Sequence, residues 1–319
     1  MGGRLAPAVA AVRVAVREHL AAHVAPGSTV LAACSGGADS LALAAALAFE
    51  GPRRDVRVAA AVVDHRLQAG SDAVAARAAE ALAALGIADV AVGAVEVSGP
   101  GGPEGAARDA RYAALRARAA ELGAAAVALG HTLDDQAETV LLGLARGSGA
   151  RSLSGMAAVR DLWHRPLLPV TRATTREACA AQGLQPWDDP HNADRRYARV
   201  RVRLDALPAL EAALGPGVAA ALARTAAQLR DDADALDAWA AQVPDAYDVA
   251  ALAALPRAVR TRVLHRLALA EGAAPGAMGA RHVAALEALV SAWHGQGPVG
   301  LPGGVEASRA CGRLTFARS

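Results

Sequence analysis

The chain of 319 residues contains no lysine, so all 33 of its basic side chains are arginine. That excludes a phosphate loop of the GxxxxGK[ST] type, a Schiff-base enzyme and a lysyl-adenylate nucleophile. Isoleucine and asparagine occur once each, at Ile87 and Asn192, which marks a coding bias rather than a functional choice. Cys34, Cys179 and Cys311 lie far apart, with no pair at metal or redox spacing, so a disulfide framework and a zinc site are not expected. Aromatics make up 3%, too few for an extended base-stacking platform. No run approaches the roughly 18 uncharged apolar residues of a membrane span. The segment from Met1 to Leu20 carries Arg4, Arg13, Arg17 and Glu18 where a signal peptide would have an apolar core. A cytoplasmic protein without a membrane partner is the expectation.

What is present is a chain that is 54% hydrophobic, much of it alanine, with a net charge of only +2. At roughly 100–200 residues per domain, the length suggests about two domains. Apolar runs over 29–34, 56–63, 88–97 and 124–129 alternate with helical patterns over 8–24, 40–49, 71–85 and 133–144. Strands apolar on both faces and separated by helices predict a doubly wound, mostly parallel α/β sheet. Ligands bind such sheets at the carboxyl ends of the strands, here Ser35, Asp64 and His131. Periodicity weakens over 147–192, apart from a short helix near 174–182. Helical patterns return over 216–242, 247–254, 256–271 and 280–293, followed by a candidate hairpin over 300–316. The expected division is a catalytic domain over 1–205 and a smaller, mainly helical domain over 206–319.

The first strand runs into Ser35-Gly36-Gly37-Ala38-Asp39-Ser40, where a helix begins at once. Glycines allow positive φ and close backbone approach, and free N–H groups at a helix start favour an anion. Ser35 and Ser40 can add hydroxyl donors. Asp39 makes sense beside an anion if it orders the loop or meets a magnesium ion. An ordinary turn with Asp39 or Ser40 as N-cap gives the same pattern. At the end of the fourth strand, His131 precedes Thr132-Leu133-Asp134-Asp135-Gln136-Ala137-Glu138-Thr139. Leu133, Ala137, Val140, Leu141 and Leu144 are expected on one apolar helix face, with Asp135 and Glu138 sharing another. Thr132 and Asp135 fit a capping box. That box does not account for Glu138 as well, and two carboxylates there could bind a cationic amine and help remove its proton.

The glycine loop resembles the SGGxDS signature of the PP-loop ATP pyrophosphatases, which split ATP between its α- and β-phosphates and need no loop lysine. The run from His131 through Thr139, continued by Arg146-Gly147-Ser148-Gly149, is similar to the tRNA(Ile)-lysidine synthase branch of that superfamily. Val63-Asp64-His65-Arg66-Leu67, Ala107-Arg108-Asp109-Ala110-Arg111-Tyr112, Arg165-Pro166-Leu167-Leu168 and Trp187-Asp188-Asp189-Pro190-His191-Asn192 agree in order. The resemblance is close over about 28–210 and faint afterwards. One departure is Val200 within Arg199-Val200-Arg201-Val202-Arg203, where the family usually carries asparagine.

The resemblance implies ATP as substrate and Mg2+ as cofactor, with ATP held by Ser35, Gly36, Gly37, Ala38, Asp39, Ser40 and His131, and Asp39 nearest the metal. It implies Asp39, Asp135 and Glu138 as catalytic residues, with Asp135 and Glu138 taking free L-lysine. The partner implied is a minor isoleucine tRNA with a CAU anticodon, whose wobble cytidine is adenylated on the C2 oxygen and then attacked by the lysine ε-amine. Lysidine is the product, and it switches the tRNA from methionine to isoleucine identity. Arg199, Arg201 and Arg203 are expected to meet tRNA phosphates: as a strand they would share one face, whereas on a helix they would spread around it. His65 is a further candidate nucleotide contact. A homodimer is compatible with the sequence. The rivals are a tRNA thiolase, which would need a cysteine set where only Cys34 lies near the loop, and a nucleotide-binding module without catalysis, which would not need the acid pair.

Overall fold

The computed structural model describes residues 5–64, 66, 70–95, 102–147 and 149–318. His65, Leu67 and Ser148, quoted in the motifs above, lie outside the described residues. In chain order the first part comprises α1 (Pro7–His23), β1 (Thr29–Cys34), α2 (Ala38–Glu50), β2 (Arg57–Asp64), α3 (Ser71–Ala84), β3 (Asp89–Ala94), α4 (Gly102–Glu121), β4 (Ala126–Ala128) and α5 (Leu133–Ala145). It continues through α6 (Ala150–Leu153), β5 (Val159–Arg160), β6 (Trp163–His164), α7 (Arg172–Ala181), α8 (Ala198–Arg201), a π-helical turn (Val202–Ala206) and α9 (Leu207–Leu214).

The sheet order is β3-β2-β1-β4-β6-β5, parallel throughout except for the antiparallel β5–β6 pair. Alternation along the strands sends side chains to two cores. Val30, Ala32 and Cys34 of β1 join Ala60 and Val62 of β2 in one, which also holds Leu41, Leu43 and Leu47 of α2. Leu31, Ala59, Ala61 and Val127 face the other, with Leu115 and Ala119 of α4 and with Trp163. Both faces are covered, as the unbroken apolar strands require. The chain winds from β1 to β2 on one side and reaches β4 on the other. The topological switch point therefore lies between β1 and β4, where Ser35 and His131 leave the sheet.

The chain divides into two compact units, Met1–Ala227 and Gln228–Ser319. This boundary falls inside α10 (Val218–Ala241), beyond the expected position near 205, because the helices after Pro208 begin while the chain still belongs to the first unit. The second unit contains α11 (Val249–Ala254), α12 (Arg257–Ala270), α13 (Ala280–Ser291), β7 (Val299–Leu301), β8 (Val305–Ala310) and β9 (Arg313–Arg318). Leu252, Leu264, Leu286, Leu289, Val305 and Leu314 build its core. The expected hairpin is the β8–β9 pair, and β7 makes it a three-stranded antiparallel sheet. Among the described residues no single helix is long and apolar enough to cross a membrane.

Candidate active site

Gly36 has φ +80°, a conformation that favours glycine, and Gly37 is the N-cap of α2 without a side-chain cap bond. The first amides of α2 are thus left to an external acceptor, as an anion cradle requires. Ser40 is buried: its Oγ donates to the Gly37 carbonyl at 2.9 Å and accepts from the Ser35 amide at 3.2 Å. It braces the loop from within, whereas Ser35 is exposed at the mouth. Gly130, at the end of β4, sets the spacing of the two walls. A Cβ added there would stand 3.0 Å from backbone atoms of Asp39 and Ser40.

Asp39 does not cap its helix. Its Oδ1 accepts from the Thr175 hydroxyl, and Arg172 Nε lies 3.7 Å from its Oδ2. Burial raises its carboxyl above the usual range, against the opposing pull of Thr175 and Arg172.

The α5 acids are arranged differently from the expectation. Asp135 and Glu138 are on the buried face with Ala137 and Val140, while Leu144 is 59% exposed. The capping box is present, with Thr132 N and Oγ1 donating to Asp135 Oδ2 at 2.8 and 2.9 Å. The other oxygen, Oδ1, takes Arg172 Nη2 at 2.9 Å. Burial works to raise the Asp135 carboxyl, but Arg172, the Thr132 amide and Arg199 outweigh it and hold it below the usual range.

Glu138 is fully buried and meets three arginines. Arg172 Nη1 and Arg203 Nε reach its Oε1 at 3.1 and 2.7 Å, and Arg199 Nε and Arg203 Nη2 reach its Oε2 at 2.8 and 3.1 Å. The arginine run is helical, not a strand, so the three do not share a face. Residues four apart align while Arg201 points away by about 200°. Arg199 and Arg203 turn inward to Glu138. Arg201 is exposed and bonds the Arg195 and Arg196 carbonyls, each at 2.8 Å. Val200 is buried, an apolar contact where the family's asparagine would be polar.

His131 stands at the switch point, and burial pushes its imidazole down to about 3, so it is neutral near pH 7. Its Nδ1 and the Nε atoms of Arg111 and Arg165 are buried without a hydrogen-bond partner among the described residues. Arg111 and Arg165 appeared in the sequence only as pieces of matching motifs. Arg172 carries no local sequence pattern that marks it, and only the fold brings it to the acids. Cys34 and Cys179 are buried thiols raised by burial, Cys179 to about 11, and neither has the depressed pKa of a nucleophile.

Comparison with known proteins agrees with this geometry. The PP-loop domain family matches residues 12–210, and the TilS substrate binding domain family matches residues 248–315. The chain is 55% identical to a tRNA(Ile)-lysidine synthase of Streptomyces coelicolor over 97% of this chain and 98% of that one. It is 55% identical to its counterpart in Thermobifida fusca, with 97% of each chain covered. Among solved structures, a U34-tRNA thiolase from Methanococcus maripaludis shares the fold with a TM-score of 0.60 at 19% identity, over 70% of this chain and 79% of that one. The chain belongs to the tRNA(Ile)-lysidine synthase family of PP-loop enzymes.

Proposed function

We propose that the chain ligates free L-lysine to C2 of the wobble cytidine in the CAU anticodon of a minor isoleucine tRNA. The observation that carries this is the meeting at one switch point of an open helix start, Gly37 to Ser40, with the buried acids Asp135 and Glu138. A module that only bound nucleotide would not need to bury two carboxylates there.

In the first step the cytidine C2 oxygen attacks the α-phosphorus of ATP, the α–β bridge breaks and diphosphate leaves. The loop amides of Ala38 to Ser40 and the Ser35 hydroxyl receive phosphate oxygens. The open donors of Arg111, Arg165 and His131 suit a further oxyanion. In the second step the lysine ε-amine forms the C2–N bond and the C2–O bond to AMP breaks. The amine must first lose a proton from its ammonium form, and Asp135 is the carboxylate held ionised for that contact. Among the described residues no cluster of three or more His, Cys, Asp or Glu could hold a metal alone. Asp39 offers one carboxylate beside the loop, which fits Mg2+ bound mainly through the triphosphate; the ion would neutralise charge developing on it. Arg201, with the exposed Arg195 and Arg196, is the group proposed to meet tRNA phosphates. Arg199 and Arg203, aligned by Glu138, would act from the inner side of the same turn.

The test is transfer of label from ATP carrying a labelled α-phosphate to tRNA without lysine, followed by release as AMP when lysine is added. Transfer and release support the two-step reading. AMP formation that needs no tRNA would overturn it.

A further inference from the structure

Arg172 is the first residue of α7, and its contacts are unusual for a surface-facing helix start. Its backbone N–H donates to Asp134 Oδ2 at 2.8 Å, fixing the helix start against α5. Its guanidinium then reaches three carboxylates on two elements: Asp39 at 3.7 Å, Asp135 at 2.9 Å and Glu138 at 3.1 Å. The side chain is 17% exposed, and the surrounding acids outweigh burial to raise its pKa, so it stays a cation. Asp39 belongs to the phosphate loop, and Asp135 and Glu138 to the acid pair. Arg172 is the one described side chain that pairs with all three.

A carboxylate oxygen that takes a guanidinium N–H cannot offer the same lone pair to an ammonium. We propose that Arg172 is a positioning residue that occupies the amine side of the acid pair and yields to the lysine ammonium, so that it sets lysine affinity while holding Asp39 for the adenylation step. The proposal rests on the reading of Asp135 and Glu138 as the lysine site. Exchange is between like charges, so the buried carboxylates keep a cation throughout and never face the cost of an unpaired charge.

The experiment measures lysine binding at equilibrium and tRNA adenylation without lysine for the full chain and its variants. Arg172→Ala is expected to bind lysine about tenfold more tightly, because its competitor is gone, and to adenylate tRNA more slowly, because Asp39 has lost its guide. Arg172→Lys should restore both toward the starting values. Guanidinium at low millimolar concentration should compete with lysine in Arg172→Ala but not in the unaltered chain. A structural role alone would lower lysine binding and adenylation together. Should Arg172→Ala fail to fold, Arg172→Gln, which keeps a donor without the charge, carries the same comparison. Unchanged or weaker lysine binding in these neutral variants overturns the proposal. If lysine binding is also indifferent to Asp135→Asn and Glu138→Gln, the acid-pair reading has failed; if those variants lose lysine, only the role of Arg172 has.

Discussion

Glu138 is a buried acid and Asp39 a half-buried one, and their environments give them different tasks. Asp39 sits at the loop with one hydroxyl donor and a more distant guanidinium, while Glu138 is surrounded by charge-assisted bonds. Asp39→Ala is therefore expected to abolish diphosphate release with little loss of stability, checked by a diphosphate assay beside a melting curve. Glu138→Ala should instead destabilise the fold by about 3 kcal/mol, since it removes the buried carboxylate that three half-buried arginines share. Chemical denaturation checks it, and Glu138→Gln should recover much of the loss while still impairing lysine use. The glycine loop and the two acids were legible in sequence because spacing and residue type suffice to mark them. Their partners were not: Arg172 lies 37 residues beyond Asp135 in sequence but is bonded to it, and no local pattern encodes that pairing.

At the scale of elements, the junction of β4 with α2 is the tightest part of the site. Gly130→Ala would press a methyl group on the Asp39–Ser40 backbone at 3.0 Å, an overpacking of about 1–3 kcal/mol. ATP affinity should fall roughly five- to hundredfold, read by equilibrium nucleotide binding, while circular dichroism stays unchanged. The parallel sheet followed from apolar runs alone, because a strand covered on both faces leaves few alternatives, whereas the strand order and the switch point between β1 and β4 come from the structure. The orientation of α5 did not. Periodicity favoured Leu144 as core and the acids as a polar face, and the half-buried Arg172, Arg199 and Arg203 reversed that choice by satisfying Asp135 and Glu138 inside. The arginine run was ambiguous for the same reason. Alternation at 199, 201 and 203 resembles a strand, and only the helical backbone pairs Arg199 with Arg203 and frees Arg201 to the surface.

At the scale of the whole molecule, two properties depend on solution conditions. His19 of α1 and His164 of β6 share a hydrogen bond of 2.9 Å, which needs one ring to donate and the other to accept. Burial, together with the neighbouring His164 and His23, lowers His19 from 6.5 to about 4, and burial also lowers His164. The unfolded chain therefore takes up protons first as pH falls. Stability contributed here is complete above pH 6.5 and declines toward pH 4, by about 3 kcal/mol for His19. Urea midpoints across that range should fall less steeply in His19→Gln, which cannot titrate. RNA binding should respond to salt instead. Replacing Arg195, Arg196 and Arg201 together by alanine should reduce the slope of log affinity against log salt by about two to three units, because their present partners are exposed carboxylates and carbonyls that cost little to exchange. An unchanged slope would locate the phosphate contacts elsewhere.

The central claim is the joining of lysine to a tRNA base, and nucleoside analysis tests it most directly. Labelled L-lysine, ATP and total tRNA are incubated with the protein, and the tRNA is digested to nucleosides. The account predicts label in one modified cytidine, lysidine, from a single isoleucine tRNA, dependent on ATP and lost with Asp39→Ala. Label that fails to enter tRNA while ATP is still consumed, or that survives Asp39→Ala, would contradict it.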